Sequence, residues 1–232
     1  MPSVAYQMLP VFVSFVLALG LTPAVRWLAR WRGLVAQPKS DRWHKQPTAM
    51  FGGVAIFLTV AVSYSLFRAA MPNRPYGWIV MLASAFLFLV GLVDDLIHIK
   101  PYQKLIGQVM GTTLVIYYGL SLPWTYSPPV NNAITFVWLI GITNALNLLD
   151  NMDGLAAGIA AIAAAFLALS FLATGHVAEA LMLGIFAAAL LGFLVYNSNP
   201  ASIFMGDCGS MFIGFFLATM ALMSVAGARG RS

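Results

Sequence analysis

The sequence predicts an all-α fold: a polytopic integral membrane bundle of about eight transmembrane helices, forming one domain over residues 1–232. Three observations predict it. Of the 232 residues, 61% are hydrophobic and only 8% charged, whereas soluble domains carry about 25% charged residues. Apolar stretches of about 17 residues or more recur along the whole length. These stretches are continuous rather than alternating, which excludes a transmembrane barrel. No linker, repeat or low-complexity tract divides the chain.

The first span covers residues 4–25. No basic segment precedes it and no small-residue cleavage site follows, so it reads as a span and not as a signal peptide. The next segment carries Arg26, Arg30, Arg32, Lys39, Arg42 and Lys45, half of the 12 basic residues. The positive-inside rule places it in the cytoplasm and the N-terminus outside. The second and third spans cover 51–68 and 77–93, and the third ends at Asp94 and Asp95. The fourth, 105–121, starts just after Lys104. Pro123, Pro128 and Pro129 mark a helix-breaking loop before the fifth span, 132–148. Gly154 terminates the polar stripe after it and precedes the sixth span, 155–174. The seventh covers 178–196. The eighth covers 211–228, with Ser210 as its N-cap. Alternation then puts the loops after the third, fifth and seventh spans on the cytoplasmic face. This topology accounts for the net charge of +5 and implies no nucleic-acid partner. The single cysteine, Cys208, excludes an intramolecular disulfide.

Five of the seven acidic residues lie in those three loops: Asp94 and Asp95, Asp150 and Asp153, and Asp207. Acids at a membrane boundary are costly and mark function. Two adjacent carboxylates repel unless a cation or a shared proton compensates. Asn144, Asn147, Asp150 and Asp153 recur every three residues, and neighbours at that spacing share a helix face. Nine residues rotate an ideal helix by about 180°, so the first and last cannot face one pocket. Either the helix breaks near Asp150 or the stripe divides its work. Such oxygen donors suit Mg²⁺ or Mn²⁺, not zinc. Asp207 lies in a polar loop between Gly206 and Gly209, ahead of a helix N-terminus that favours phosphate. Arg42, His44, Lys45 and Lys104 either set topology or reach a phosphate. His98 and His176 read as interfacial polar residues. No phosphate-binding glycine loop, dinucleotide fingerprint or zinc spacing is present, and no histidine has a nucleophile partner for a serine triad.

From about Pro38 to Ala218, these motifs resemble the polyprenyl-phosphate N-acetylhexosamine-1-phosphate transferases. GLVDDLIHIKPYQKLIGQ is similar to that family's Asp-Asp motif with its downstream lysine, here Lys104. NALNLLDNMDGLAAG is similar to its Asn-x-x-Asn-Leu-x-Asp-Gly-x-Asp-Gly-Leu motif, and NSNPASIFMGDCGSMFIGF to its Phe-Met-Gly-Asp-x-Gly-Ser motif. HKQPTAMFGG resembles its first-loop motif through His44, Pro47, Gly52 and Gly53. Asn151 stands where glycine is usual, and Gln37 and Asp41 where Asp and Arg are frequent. Related chains continue for roughly a further small domain, so a C-terminally truncated member with little activity of its own is expected.

The resemblance implies transfer of N-acetylhexosamine-1-phosphate, with GlcNAc-1-phosphate favoured, from a UDP-sugar to undecaprenyl phosphate, releasing UMP. It implies Asp94, Asp95, Asp150 and Asp153 as catalytic residues. Asn144, Asn147, Lys104, His44, Arg42 and Asn197 would bind substrate. Asp207, with Asp150 or Asp153, would hold Mg²⁺, or Mn²⁺ in its place. Direct attack and a covalent aspartyl-phosphate route both remain open. The expected setting is the bacterial inner membrane, with the active site cytoplasmic. The expected partners are the UDP-sugar, undecaprenyl phosphate, the bilayer and, in a homodimer, a second copy of the chain. The rival class is a proton- or cation-coupled transporter, which wants acids near mid-span and access from both sides.

Overall fold

The computed structural model describes residues 4–36, 47–68 and 76–229. Eight helices account for nearly all of them: α1 (Val4–Trp31), α2 (Gly52–Phe67), α3 (Gly77–Ile97), α4 (Pro101–Tyr117), α5 (Pro128–Leu149), α6 (Leu155–Ala173), α7 (Val177–Asn197) and α8 (Gly206–Arg229). Two short antiparallel strands, β1 (Val35–Ala36) and β2 (Thr48–Ala49), pair Val35 with Ala49 and Ala36 with Thr48. The chain is a multi-pass helical membrane protein. Among the described residues, six helices are long and apolar enough to cross a bilayer. The apolar α2 has 16 residues and α4 has 17, giving about 24 and 26 Å of helix against a hydrocarbon core of about 30 Å.

The helix at the centre of the bundle is α8. Its apolar window is 78% buried, against 22% for α1 and α5. It packs against α2, α3, α5 and α6, while α7 packs between α1 and α6. Phe212 and Phe216 of α8 meet Phe57 of α2 and Phe186 of α7 in stacked, tilted and edge-on pairs. Such geometry adds to simple contact. On α6, Ala156, Ala157, Ala160, Ala161 and Ala164 are buried. Small side chains let helix backbones approach closely, which matters in lipid, where there is little hydrophobic drive between helices.

The helix ends differ from the sequence reading in ways that build the site. The last turn of α3 contains Asp94 and Asp95, and Lys104 sits in the first turn of α4. Pro128 and Pro129 begin α5 rather than break a helix, because the first helical turn has no use for their missing N–H. At the other end of the chain, α8 starts five residues early, at Gly206, with Asp207 in its first turn. Ser210 is therefore a buried residue inside the helix and not its N-cap.

Candidate active site

Backbone contacts fix the start of α8. Gly52 and Gly53 donate their N–H groups to the Phe204 and Met205 carbonyls, both at 2.8 Å, and Phe204 N–H donates to Ala49 O at 2.8 Å. A Cβ on Gly53 would fall 2.2 Å from Gly209 N, so only glycine permits this approach. The first-loop glycines thus hold the segment leading into Asp207.

Asp95 completes the arrangement from α3. Its Oδ1 accepts the Asp207 N–H and its Oδ2 the Cys208 N–H, each at 2.9 Å. A helix N-terminus leaves its first N–H groups unpaired and carries a partial positive charge. A carboxylate from another helix satisfies both needs here. Gly206, with φ +78°, leaves room for it: a Cβ there would lie 2.8 Å from Asp95 Oδ2.

Lys104 ties the helices together. Its Nζ lies 2.5 Å from Asp94 Oδ2 and 2.8 Å from Asp207 Oδ2. Asp94 Oδ1 accepts the Ile99 N–H at 2.9 Å. Asn147 of α5 donates to Asp207 Oδ1 at 2.5 Å and to Ser210 Oγ at 2.7 Å. Asp207 therefore has both oxygens engaged, from α4 and from α5.

The stripe on α5 divides its work. The helix ends at Leu149 with Asp150 as its C-cap. Asn144 pairs with the buried Gln108 of α4 through two amide hydrogen bonds, of 3.1 and 2.8 Å. Asn147 faces Asp207. Asp150 lines a cavity of about 360 Å³, together with Asp94, Asp95, Asn147 and Asp207. Asp153 points elsewhere, accepting the Ala201 N–H at 3.0 Å. Asn197 is buried and accepts from Gly154 N–H while donating to Ile203 O; it braces two turns and does not line the cavity. Arg42 and His44 lie outside the described residues. Asn151, in place of a glycine, is not among the residues with positive φ, so the turn tolerates it; Gly154, at φ +71°, makes the reversal.

Asp150 stands outside the α5 span, and its carboxyl is pushed up to about 8. Burial is the main cause, followed by the charges of Asp207 and Asp95. Four acidic side chains thus line one cavity, and the Lys104 ammonium pairs with two of them, Asp94 and Asp207. Among the described residues, no group of three or more His, Cys, Asp and Glu side chains is set to hold a metal by itself. Five lining residues are not among the site residues that the sequence suggests: Met50, His98, Leu148, Asn151 and Gly206. The available signal for His98 was its spacing of four from Asp94, which puts both on one helical face.

The sequence profile of glycosyl transferase family 4 matches residues 77–225. The chain belongs to that family. A probable undecaprenyl-phosphate N-acetylglucosaminyl 1-phosphate transferase of Bacillus subtilis is 30% identical over 222 residues, covering 92% of this chain and 62% of the relative. A phospho-N-acetylmuramoyl-pentapeptide-transferase of Levilactobacillus brevis is 30% identical over 242 residues, covering 93% and 75%. A decaprenyl-phosphate N-acetylglucosaminephosphotransferase of Mycobacterium tuberculosis is 32% identical over 225 residues, covering 85% and 55%. The chain thus spans between about half and three quarters of these relatives' lengths.

Proposed function

We propose that the protein transfers N-acetylhexosamine-1-phosphate, with GlcNAc-1-phosphate favoured, from a UDP-sugar to undecaprenyl phosphate at the cytoplasmic face of the bacterial inner membrane. The observation that carries this reading is the convergence of Asp94, Asp95, Asp150 and Asp207 on one cavity, with Lys104 ion-paired to Asp94 and Asp207. The names of the relatives support the substrate classes. A transporter would place its acids near mid-span; these sit at the ends of α3 and α5 and the start of α8.

In the reaction, an oxygen of the acceptor phosphate bonds to the sugar-bearing phosphorus of the UDP-sugar. The bond from that phosphorus to the bridging oxygen breaks, and UMP departs with the electron pair. The acceptor phosphate is already largely dianionic at neutral pH, with a second pKa of about 6, so it needs no strong base. The chain's task is to position two anions and balance their charge. Lys104 supplies positive charge beside Asp94 and Asp207. Asn147 fixes the Asp207 carboxylate from α5. Asp95 holds the first turn of α8 and so sets where Asp207 stands.

The donor chemistry fits Mg²⁺. The ion prefers carboxylate oxygens and is commonly held by one or two of them plus substrate phosphates. Asp207 and Asp150 are the residues that would hold it, whereas Asp153 faces the segment around Ala201 instead. When bound, the ion would neutralise the diphosphate and the charge developing on the leaving UMP. The test is release of UMP from UDP-GlcNAc by the complete protein in detergent micelles. Release that requires both undecaprenyl phosphate and Mg²⁺ supports the reading; release without the lipid overturns the assignment of the acceptor.

A further inference from the structure

His98 follows α3 as its C-cap with φ +52° and ψ +74°, in the left-handed region. Its N–H donates to Asp94 O at 2.8 Å, and the next N–H, that of Ile99, donates to Asp94 Oδ1 at 2.9 Å. Both bonds are backbone donations, so the turn does not need the imidazole. Left-handed backbone penalises a residue with a Cβ and costs glycine almost nothing. A side chain kept at such a position points to a use for it.

The cavity beside it offers such a use. His98 lines it with Asp94, Asp95, Asn147, Asp150, Asn151 and Asp207. A phosphorylated substrate entering there meets mostly carboxylates. The other side-chain donors are already engaged. Lys104 is held by Asp94 and Asp207. Asn147 gives its amide to Asp207 and Ser210, and Asn151 turns its amide back to Leu148 O at 2.8 Å. Among the described residues, the His98 imidazole has no hydrogen-bond or ion-pair partner.

We infer that His98 is a substrate-binding residue whose ring N–H donates to a phosphate oxygen, either of the UDP-sugar diphosphate or of the lipid phosphate. This inference rests on the phosphotransfer reading above. The glycine variant separates it from a purely structural role, since glycine suits the backbone and lacks the imidazole. In the complete protein in micelles, His98→Gly should keep or raise the unfolding midpoint. It should raise one Michaelis constant about tenfold, the effect of losing one hydrogen bond to a charged group. His98→Asn, which tolerates the left-handed region and retains a donor, should recover part of that loss. A rise in KM for UDP-GlcNAc assigns the diphosphate; a rise in KM for undecaprenyl phosphate assigns the acceptor. If both constants stay within about twofold in His98→Gly, the inference fails while the function stands, and a lowered midpoint with unchanged constants fails it in the same way. A parent enzyme that turns over neither substrate overturns the functional reading and this inference together.

Discussion

Replacing Asp95 by Asn tests how the site is assembled. Asp95 reaches from α3 to accept two backbone N–H groups of α8, at 2.9 Å each. A hydrogen bond to a charged acceptor contributes about 1.5–3 kcal/mol, and a negative charge at a helix N-terminus a further 0.3–2 kcal/mol or so. Asparagine keeps one acceptor oxygen, turns an NH₂ toward the other N–H and removes the charge. The expected cost is about 2–5 kcal/mol, one bond plus the dipole contribution. Two assays read it. Denaturant titration of the protein in micelles should show the loss of stability. Hydrogen exchange at the Asp207 and Cys208 amides should accelerate by about tenfold or more. Unchanged stability together with unchanged exchange at those two amides would refute the argument that Asp95 caps α8 in the folded protein.

Asp150 predicts a pH dependence. Its folded pKa, about 8, lies above the ordinary carboxylate value of 3.8, so the folded state holds the proton more tightly. Its contribution to stability is full below about pH 4 and is lost as pH rises through about 8, with a slope of up to about 1.4 kcal/mol per pH unit. Without divalent cation, Asp150→Asn should remove that slope from the unfolding midpoint and be the more stable protein at pH 8; an unchanged slope contradicts the environment assigned to Asp150. Gly53→Ala should destabilise by about 3 kcal/mol or more, since its Cβ would meet backbone atoms of Gly209 at 2.2 and 2.3 Å that cannot swing aside. Gly158→Ala, with nothing within 4 Å of its Cβ, should be neutral or stabilising by about 0.5–1 kcal/mol in the same denaturation assay. Gln108→Leu should cost about 1–2 kcal/mol by removing both bonds to Asn144, measured in the same way.

The helices were legible in the sequence because continuous apolar runs admit few alternatives. Their ends were less so. The first five residues of α8 look like loop in the sequence, because Gly206, Asp207 and Ser210 are polar or flexible; what makes them helical is Asp95, 112 residues away from Asp207 in sequence. Pro128 and Pro129 look like breakers in the sequence, because local chemistry does not distinguish a helix start from a helix stop. The spacing of Asn144, Asn147, Asp150 and Asp153 showed that one straight helix could not aim all four at one pocket. It could not show their partners, which lie on α4, on α8 and at Ala201. Asn197 illustrates the same limit: the family resemblance implies substrate binding there, whereas its buried amide links two backbone turns.

The central claim is that Asp207, held between Lys104 and Asn147, supports Mg²⁺-dependent sugar-phosphate transfer to a lipid phosphate. The most direct measurement is the rate at which the complete protein bearing Asp207→Asn forms lipid-linked GlcNAc from UDP-GlcNAc and undecaprenyl phosphate across a Mg²⁺ titration. Transfer is expected to be lost at every Mg²⁺ concentration, in a protein that still folds. Near-parental turnover at saturating Mg²⁺ would contradict it.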